Sequence, residues 1–244
     1  MRVIDHHVHL QLVDAGALAG GGLAGVVDLG SGPDVPTDLP GLQVDLAGCF
    51  LTAPGGYPTD RSWAPAGSCR EVSDVEDAAV AVAEQVARGA RVIKATLHRD
   101  AGPVFAPPVL RAVVEAAGEV PVVAHAEGAG TVELALDAGC SALAHTPWTH
   151  RLDDDLVRRA AASQAWISTL AIHEATPALD TALDNLTRFH AAGGRVLYGT
   201  DLGNGDLPLG VNAAELALLR RARLDEAAVR AACADPWPRL RPGG

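Results

Sequence analysis

The chain has 244 residues, of which 48% are hydrophobic, so it is long and apolar enough for one large core. A formal net charge of −11 argues against nucleic acid or an anionic membrane as a partner, because both attract a basic surface. The sequence contains no secretion signal, no apolar run of ~18 residues and no CxxC pair among its four cysteines, so we expect reduced thiols in a cytoplasmic protein.

Apolar, β-branched runs alternate with Ala-rich runs along the chain. Strands are predicted at 2–10, 22–30, 42–48, 91–97, 120–126, 141–146, 165–172 and 195–201. Helices are predicted at 74–88, 108–118, 130–138, 153–162, 178–192 and 212–221, and several end at a glycine before the next strand. The alternation predicts an α/β fold, a single-domain (β/α)₈ TIM barrel over residues 1–244, with a doubly wound open sheet as the alternative.

The longest irregular segment covers residues 49–73 and follows the third predicted strand. Loops of this length inside a compact domain commonly carry function. We therefore expect it to be an active-site loop.

Histidines and other polar residues recur at the ends of the predicted strands. His7 and His9 are two residues apart on the first strand and share a face, whereas His6 points the other way. The remaining members are Lys94 on the fourth strand, His125 on the fifth, His145 on the sixth and Asp201 on the eighth. In a barrel these strand ends meet at one mouth, so four imidazoles and a carboxylate predict a metal site there.

Lys94 is the only lysine of a chain that otherwise uses arginine. Arginine cannot lose its proton or react as a free amine, so a lysine placed in a buried strand indicates chemistry. A neutral amine beside divalent cations can take up CO₂ and become a carbamate, an anionic ligand with two oxygens that can bridge two metals.

Each of these residues also has an ordinary structural explanation. A lone histidine in a strand is commonly a hydrogen-bonded core residue, a buried lysine extends its amine to solvent, and an aspartate after "GT" caps a helix. Only the joint pattern indicates a catalytic centre.

Several stretches of the sequence resemble the amidohydrolase superfamily, and within it the imidazolonepropionase-like and Xaa-Pro dipeptidase-like branch. They are "VIDHHVHL", "GVVDLG", "LTAPGGYP", "VIKATL", "VVAHAEGAGTVELALDAGCSALAH" and "LYGTD", and "AAVRAACADPWPRL" looks like the closing helix and turn. The two-histidine segment is the most specific of them, and the resemblance covers nearly the whole chain.

The resemblance implies a metal-dependent hydrolase with a binuclear centre, most often zinc, with Mn, Fe or Ni as other metals. His7, His9 and Asp201 would bind one metal, His125 and His145 the second, and carboxylated Lys94 would bridge them. Asp201, Lys94 and His145 are the predicted catalytic residues, with Asp201 as general base and acid.

Three features depart from the pattern of this family. We expect the small β-sandwich that usually accompanies the barrel to be absent, which would leave an apolar surface that favours a homo-oligomer. Gly56 is followed by Tyr57 where this branch often has Gly-Gly-His, and Glu127 stands where the fifth strand often ends His-Ala-His. Glu127 is two residues after His125 rather than three, so deamination is disfavoured.

Residues just beyond the strand ends should line the pocket for a small-molecule substrate. We predict substrate contacts from Tyr57, His98, Glu127, Trp148 and His173, with Trp63, Arg99, His150 and Asn204 also near the mouth. The leading hypothesis is hydrolysis of a non-peptide or dipeptide-like C–N bond, in an amide or a cyclic amide. Lactone, ester or phosphoester hydrolysis at the same centre is the closest alternative, and a non-catalytic metal-binding protein is a second class.

Overall fold

The computed structural model describes residues 2–234 and has an α/β architecture in which every strand pair is parallel. Its strands are β1 (Ile4–Val8), β2 (Gly25–Asp28), β3 (Gln43–Leu46), β4 (Phe50–Thr52), β5 (Cys69–Glu71), β6 (Ile93–His98), β7 (Val122–Glu127), β8 (Ala142–Leu143), β9 (Ala165–Ile167) and β10 (Arg195–Leu197). Its helices are α1 (Val75–Ala87), α2 (Pro107–Ala117), α3 (Thr131–Ala138), α4 (Asp154–Ser163), α5 (Ala178–Ala191), α6 (Ala213–Arg221) and α7 (Glu226–Ala234). All eight predicted strands and all six predicted helices are confirmed, while the predicted closing turn lies outside the described residues.

The strands form two sheets. β1, β2 and β3 make a three-stranded sheet in that order, and the order in the seven-stranded sheet is β10-β9-β8-β7-β6-β4-β5. Helices lie between most successive strands of the larger sheet, as parallel connections require. None of the described helices is both long and apolar enough to cross a membrane.

The predicted loop at 49–73 is shorter than expected, because both of its ends are strands. β3 pairs with β2, and four residues later β4 pairs with β6. Gly48 has a φ of 73°, and a Cβ there would lie 2.5 Å from the Gln85 side chain, so the chain bends where only glycine fits. The bend transfers the chain from the smaller sheet to the larger one and leaves 53–68 as the irregular segment.

Backbone hydrogen bonds also connect the two sheets on both sides. Arg91 donates to the carbonyl of Leu46 at 2.8 Å, next to the bend. On the other side, Asp201 donates to the carbonyl of His7 at 2.9 Å, and His9 donates to the carbonyl of Leu202 at 2.7 Å. These bonds place the residues that follow β10 directly beside the end of β1.

The core is divided between the two faces of the sheets. Ile93, Ala95 and Leu97 belong to the larger apolar cluster, which includes the buried faces of the helices. The alternate residue Val92 belongs to a smaller cluster made of strand residues and residues directly next to strands. Because side chains alternate along a strand, Lys94 faces the same side as Val92, one step nearer the carboxyl end of β6.

Candidate metal centre and active site

A cavity of about 470 Å³ opens at the carboxyl ends of the strands. It is lined by the six residues predicted as metal ligands (His7, His9, Lys94, His125, His145 and Asp201) and by the predicted substrate residues Tyr57, Glu127, Trp148 and His173. Trp63 and Asn204 also line it. Residues from β1, β6, β7 and the segments after β8 and β10 therefore meet in one place, as parallel strand ends require.

His7, His9 and Asp201 form the tightest group of possible metal ligands. The Nε2 atoms of the two histidines are 3.3 Å apart. Asp201 Oδ1 lies 3.0 Å from His7 Nε2 and 3.4 Å from His9 Nε2. All three side chains are buried.

The backbone fixes which nitrogen of each imidazole faces the cavity. His7 Nδ1 lies 2.9 Å from the carbonyl oxygen of Ala144, and His9 Nδ1 lies 3.0 Å from that of Gly30. A carbonyl only accepts, so each Nδ1 carries the hydrogen and each Nε2 presents a lone pair.

Two lone pairs and a carboxylate oxygen at these distances repel one another unless a cation lies between them. Tetrahedral zinc with bonds of about 2.0–2.1 Å holds its ligand atoms about 3.3–3.4 Å apart. The measured distances of 3.0, 3.3 and 3.4 Å match that spacing. The donor set of His7, His9 and Asp201 therefore fits a divalent metal ion.

Two buried aspartates hold the backbone around the histidine pair. Asp5 accepts hydrogen bonds from the amides of His7 and Thr200 at 3.1 and 3.0 Å and from the Thr200 hydroxyl at 2.6 Å. Asp28 accepts from the amide of Gly30 at 3.1 Å, which positions the carbonyl that orients His9. Burial raises the pKa of Asp5 to about 7, against the opposing effect of its hydrogen bonds.

Burial also sets the charge states in the cavity. It lowers the pKa of His7 and His145 well below the usual range, so both imidazoles are neutral, the form that binds metals. Burial acts to raise the pKa of Asp201, but His7, His145 and His9 lie close enough to stabilise its anion when one of them holds a proton, and that pKa stays well below its usual range. Asp201 is therefore an anion among neutral donors.

Lys94 is buried and forms no ion pair with any carboxylate of the described residues. Burial lowers the pKa of its amine to about 7, and Asp201 and Asp28 oppose that effect only in part. A substantial fraction of the amine is consequently uncharged near neutral pH. This is the state required for reaction with CO₂.

His145 stands between the first group and His125. Its ring centroid lies 4.7 Å from that of His7 and 5.1 Å from that of His125. The Thr169 hydroxyl lies 2.9 Å from His145 Nδ1, which leaves Nε2 directed elsewhere. Thr169 has a φ of 41°, a strained conformation for a β-branched residue that is typical of functional sites.

Glu127 lies between two histidines at the other end of the cavity. Its Oε2 is 3.1 Å from His98 Nδ1 and 3.4 Å from His125 Nε2. His98, His125 and Glu127 form the second group of residues whose ligand atoms are close enough to hold a metal. His98 does not line the cavity, and its ring stacks on that of His125 with centroids 5.5 Å apart, so its contact with substrate stays a prediction.

The other predicted pocket residues differ in their placement. Tyr57 stacks on His125 with ring centroids 5.1 Å apart. The ring centroids of Trp148 and His173 are 4.8 Å apart. His150 is exposed, at the far side of its loop, and bonds the Thr149 hydroxyl at 3.1 Å instead of facing the cavity. All four cysteines are free, as expected.

Solved structures with the same fold are found among the amidohydrolases. The ochratoxinase of A. niger matches 99% of this chain and 71% of its own length, with a TM-score of 0.77 and 22% identity. A Xaa-Pro dipeptidase with bound methionine matches 98% of this chain and 74% of its own, with a TM-score of 0.81 and 17% identity. Molinate hydrolase matches 98% of this chain and 72% of its own length, with a TM-score of 0.72 and 14% identity. The chain has the fold of the amidohydrolase superfamily.

The predicted resemblance to amidohydrolases is thus confirmed at the level of fold. No protein-family model matches the sequence, and no curated protein matches it. Five of the motifs that carry the resemblance contribute residues to the cavity wall.

Proposed function

We propose that this protein is a metal-dependent hydrolase that cleaves the amide C–N bond of a small molecule. The observation that carries the proposal is the group formed by His7, His9 and Asp201, whose donor atoms lie 3.0 to 3.4 Å apart around one point. Two of the solved structures with the same fold are named molinate hydrolase and phenylurea hydrolase B, which supports the same general activity.

We also infer that the two sheets form a single (β/α)₈ barrel over one domain. The support is the pair of connections between them, from Arg91 to Leu46 on one side and from the segment after β10 to β1 on the other. In this arrangement β3 and β4 act as one bent barrel strand. Barrel geometry explains why candidate ligands from separate strands, and from the segments that follow them, meet in one cavity.

The two metals would be held by different residues. His7, His9 and Asp201 would bind the first, and His125 with His145 the second, with zinc as the leading identity. Lys94 would bridge them after its neutral amine forms a bond to the carbon of CO₂ and releases a proton, leaving a carbamate anion. Lys94 is buried and has no ion-pair partner within residues 2–234, which supports this role.

Metals bound there would polarise the scissile carbonyl and lower the pKa of water so that hydroxide is available near neutral pH. Asp201 would accept the proton of the attacking water and return it to the leaving nitrogen. The Asn204 amide donates to Asp201 Oδ2 at 2.7 Å, which holds the carboxylate in place with Oδ1 facing the histidines. Trp148 and Trp63 would exclude water from an apolar part of the substrate.

Rates on matched substrates test the proposal. Wild-type protein loaded with zinc and bicarbonate should hydrolyse one or more small linear or cyclic amides faster than the corresponding esters or lactones. Asp201→Asn should lower kcat by about 10²- to 10⁴-fold through loss of proton transfer. Asp155→Asn, on the exposed face of α4, is the matched control and should leave kcat unchanged.

Two results would contradict the amide assignment. Hydrolysis of lactones with no turnover of any amide would favour the alternative of ester chemistry at the same centre. Unchanged kcat in Asp201→Asn would remove the proposed proton carrier.

A further inference from the structure

The cavity is short of positive charge from side chains. Among the described residues, Lys94 is the only lysine or arginine that lines it. Burial lowers the pKa of the lining residue His173, so this imidazole carries no charge near neutral pH. A substrate carboxylate would find no arginine fork, the usual partner for that group in proteins.

Two arginines close to cavity residues are engaged elsewhere. The Arg61 guanidinium lies over the Tyr57 ring, 5.7 Å from its centroid, and its Nε is 3.3 Å from Asp60 Oδ1. Arg99, which the sequence placed near the pocket, is exposed and donates to the carbonyl of Ala129 at 2.9 Å. Neither side chain lines the cavity.

Glu127 supplies negative charge instead. Its side chain lines the cavity and is 22% exposed, whereas Asp201, the other lining carboxylate, is 5% exposed and held among histidines. His98 and His125 lie near Oε2 only, and a carboxylate offers about four acceptor positions. Glu127 therefore has acceptor capacity left for a ligand.

Aromatic rings lie beside His125, the histidine that this carboxylate contacts. Tyr57 and Trp148 both line the cavity, and their rings lie 5.1 and 6.3 Å from the ring of His125, the residue that Glu127 contacts. Aromatic faces attract organic cations and repel anions. The combination of a carboxylate and aromatic walls is complementary to an ammonium group on an organic substrate.

We propose that Glu127 is a specificity residue that selects amides bearing a protonated amine, such as aminoacyl amides with no free carboxylate. The proposal rests on the proposed function, because it names the substrate class of the same cavity. It assigns to Glu127 a direct contact with the ligand rather than a place in the metal's coordination.

Binding of two small probes tests the contact independently of catalysis. Phenethylamine and 2-phenylethanol have the same size and shape, and only the amine is charged. Calorimetry on the zinc-loaded protein should show the amine binding about 10- to 100-fold more tightly than the alcohol, the range of a charged hydrogen bond. In Glu127→Gln this preference should disappear, while in Glu115→Gln, an exposed carboxylate on α2, it should persist.

Elemental analysis of Glu127→Gln separates recognition from metal binding. We expect its metal content to equal that of the wild type, and a fall would show that Glu127 is a ligand with His98 and His125, which overturns the proposal. Equal binding of both probes to the wild type would also overturn it.

Rates complete the test and separate the two proposals. The ratio of kcat/KM for an amino-acid anilide to that for its N-acetyl analogue should fall about 10- to 100-fold in Glu127→Gln. A purely structural role would lower both rates together and leave the ratio unchanged. Absence of any amide turnover would refute the proposed function, whereas turnover without a preference for the amine would refute only the role of Glu127.

Discussion

Glu215 lies on α6 with no exposed surface, and its Oε2 accepts a hydrogen bond from the amide of Ala171 at 2.7 Å. Burial raises the pKa of this carboxyl from 4.5 to about 7, against the opposing hydrogen bonds from Ser168, Leu170 and Ala171. Replacing it with glutamine keeps an oxygen that can accept from Ala171 but removes the ionisation.

The sign of the pH effect follows from proton binding. Between pH 4.5 and about 7 the folded protein holds a proton that the unfolded chain has released, so stability falls as pH rises through this window. Each tenfold change in proton affinity equals about 1.4 kcal/mol, so ionisation at Glu215 destabilises the fold by about 3 kcal/mol above pH 7. From about pH 5 to about pH 8 the wild type should lose roughly 2.5 kcal/mol relative to Glu215→Gln.

Urea unfolding at these two pH values measures the difference. At the higher pH the variant should gain roughly 2.5 kcal/mol in free energy of unfolding relative to the wild type, compared with the lower pH. Glu76→Gln, an exposed carboxylate in the first turn of α1, is the matched control and should show no such change. The same pH dependence in wild type and Glu215→Gln would refute the reasoning.

Three further outcomes are expected. Thr169→Val removes the hydroxyl that orients His145 and should weaken binding of the second metal by about 10- to 100-fold in a chelator competition, whereas Thr169→Ser should retain it. Phe189→Ala removes a ring that stacks on Trp166 at 3.9 Å in the core and should lower the free energy of unfolding by about 3–5 kcal/mol. Asp5→Ala leaves the amide of Thr200 without its acceptor and should lower both stability and kcat, as measured by urea unfolding and by initial rates.

Each of these outcomes has a result that contradicts it. Equal metal affinity in Thr169→Val and Thr169→Ser would mean that His145 needs no hydroxyl partner. Retained stability in Phe189→Ala would mean that the core closes over the gap. Asp5→Asn, which keeps one acceptor oxygen, should recover part of what Asp5→Ala loses, and no recovery would refute the hydrogen-bond explanation.

The alternation of strands and helices could be predicted because the β-branched apolar runs of the strands differ clearly from the Ala-rich runs of the helices. The grouping of His7, His9 and Asp201 was also predictable, since parallel strands bring their carboxyl ends together. β4 was not predictable, because Gly48 and Cys49 end the apolar pattern of the third predicted strand, so that Phe50–Thr52 fell inside the expected loop at 49–73.

The residues that the sequence analysis missed act through other residues. Thr169 follows β9 in a left-handed conformation, and no local pattern distinguishes its hydroxyl from that of the preceding serine. Asp28 holds Gly30, whose carbonyl orients His9, a relation among three residues from two strands. His98 was placed in the pocket because it ends a strand, yet its ring turns towards Glu127. Such contacts depend on rotamers that only the folded structure specifies.

Metal content per chain tests the proposed binuclear centre most directly. Wild type, Lys94→Ala and the control Arg99→Ala, an exposed residue just after β6, are purified with zinc and bicarbonate and measured by elemental analysis. We expect about two metals per chain in wild type and control, and one or none in Lys94→Ala, because the bridging carbamate is lost. One metal in all three proteins would contradict the bridge and leave Lys94 as a plain amine beside a single metal.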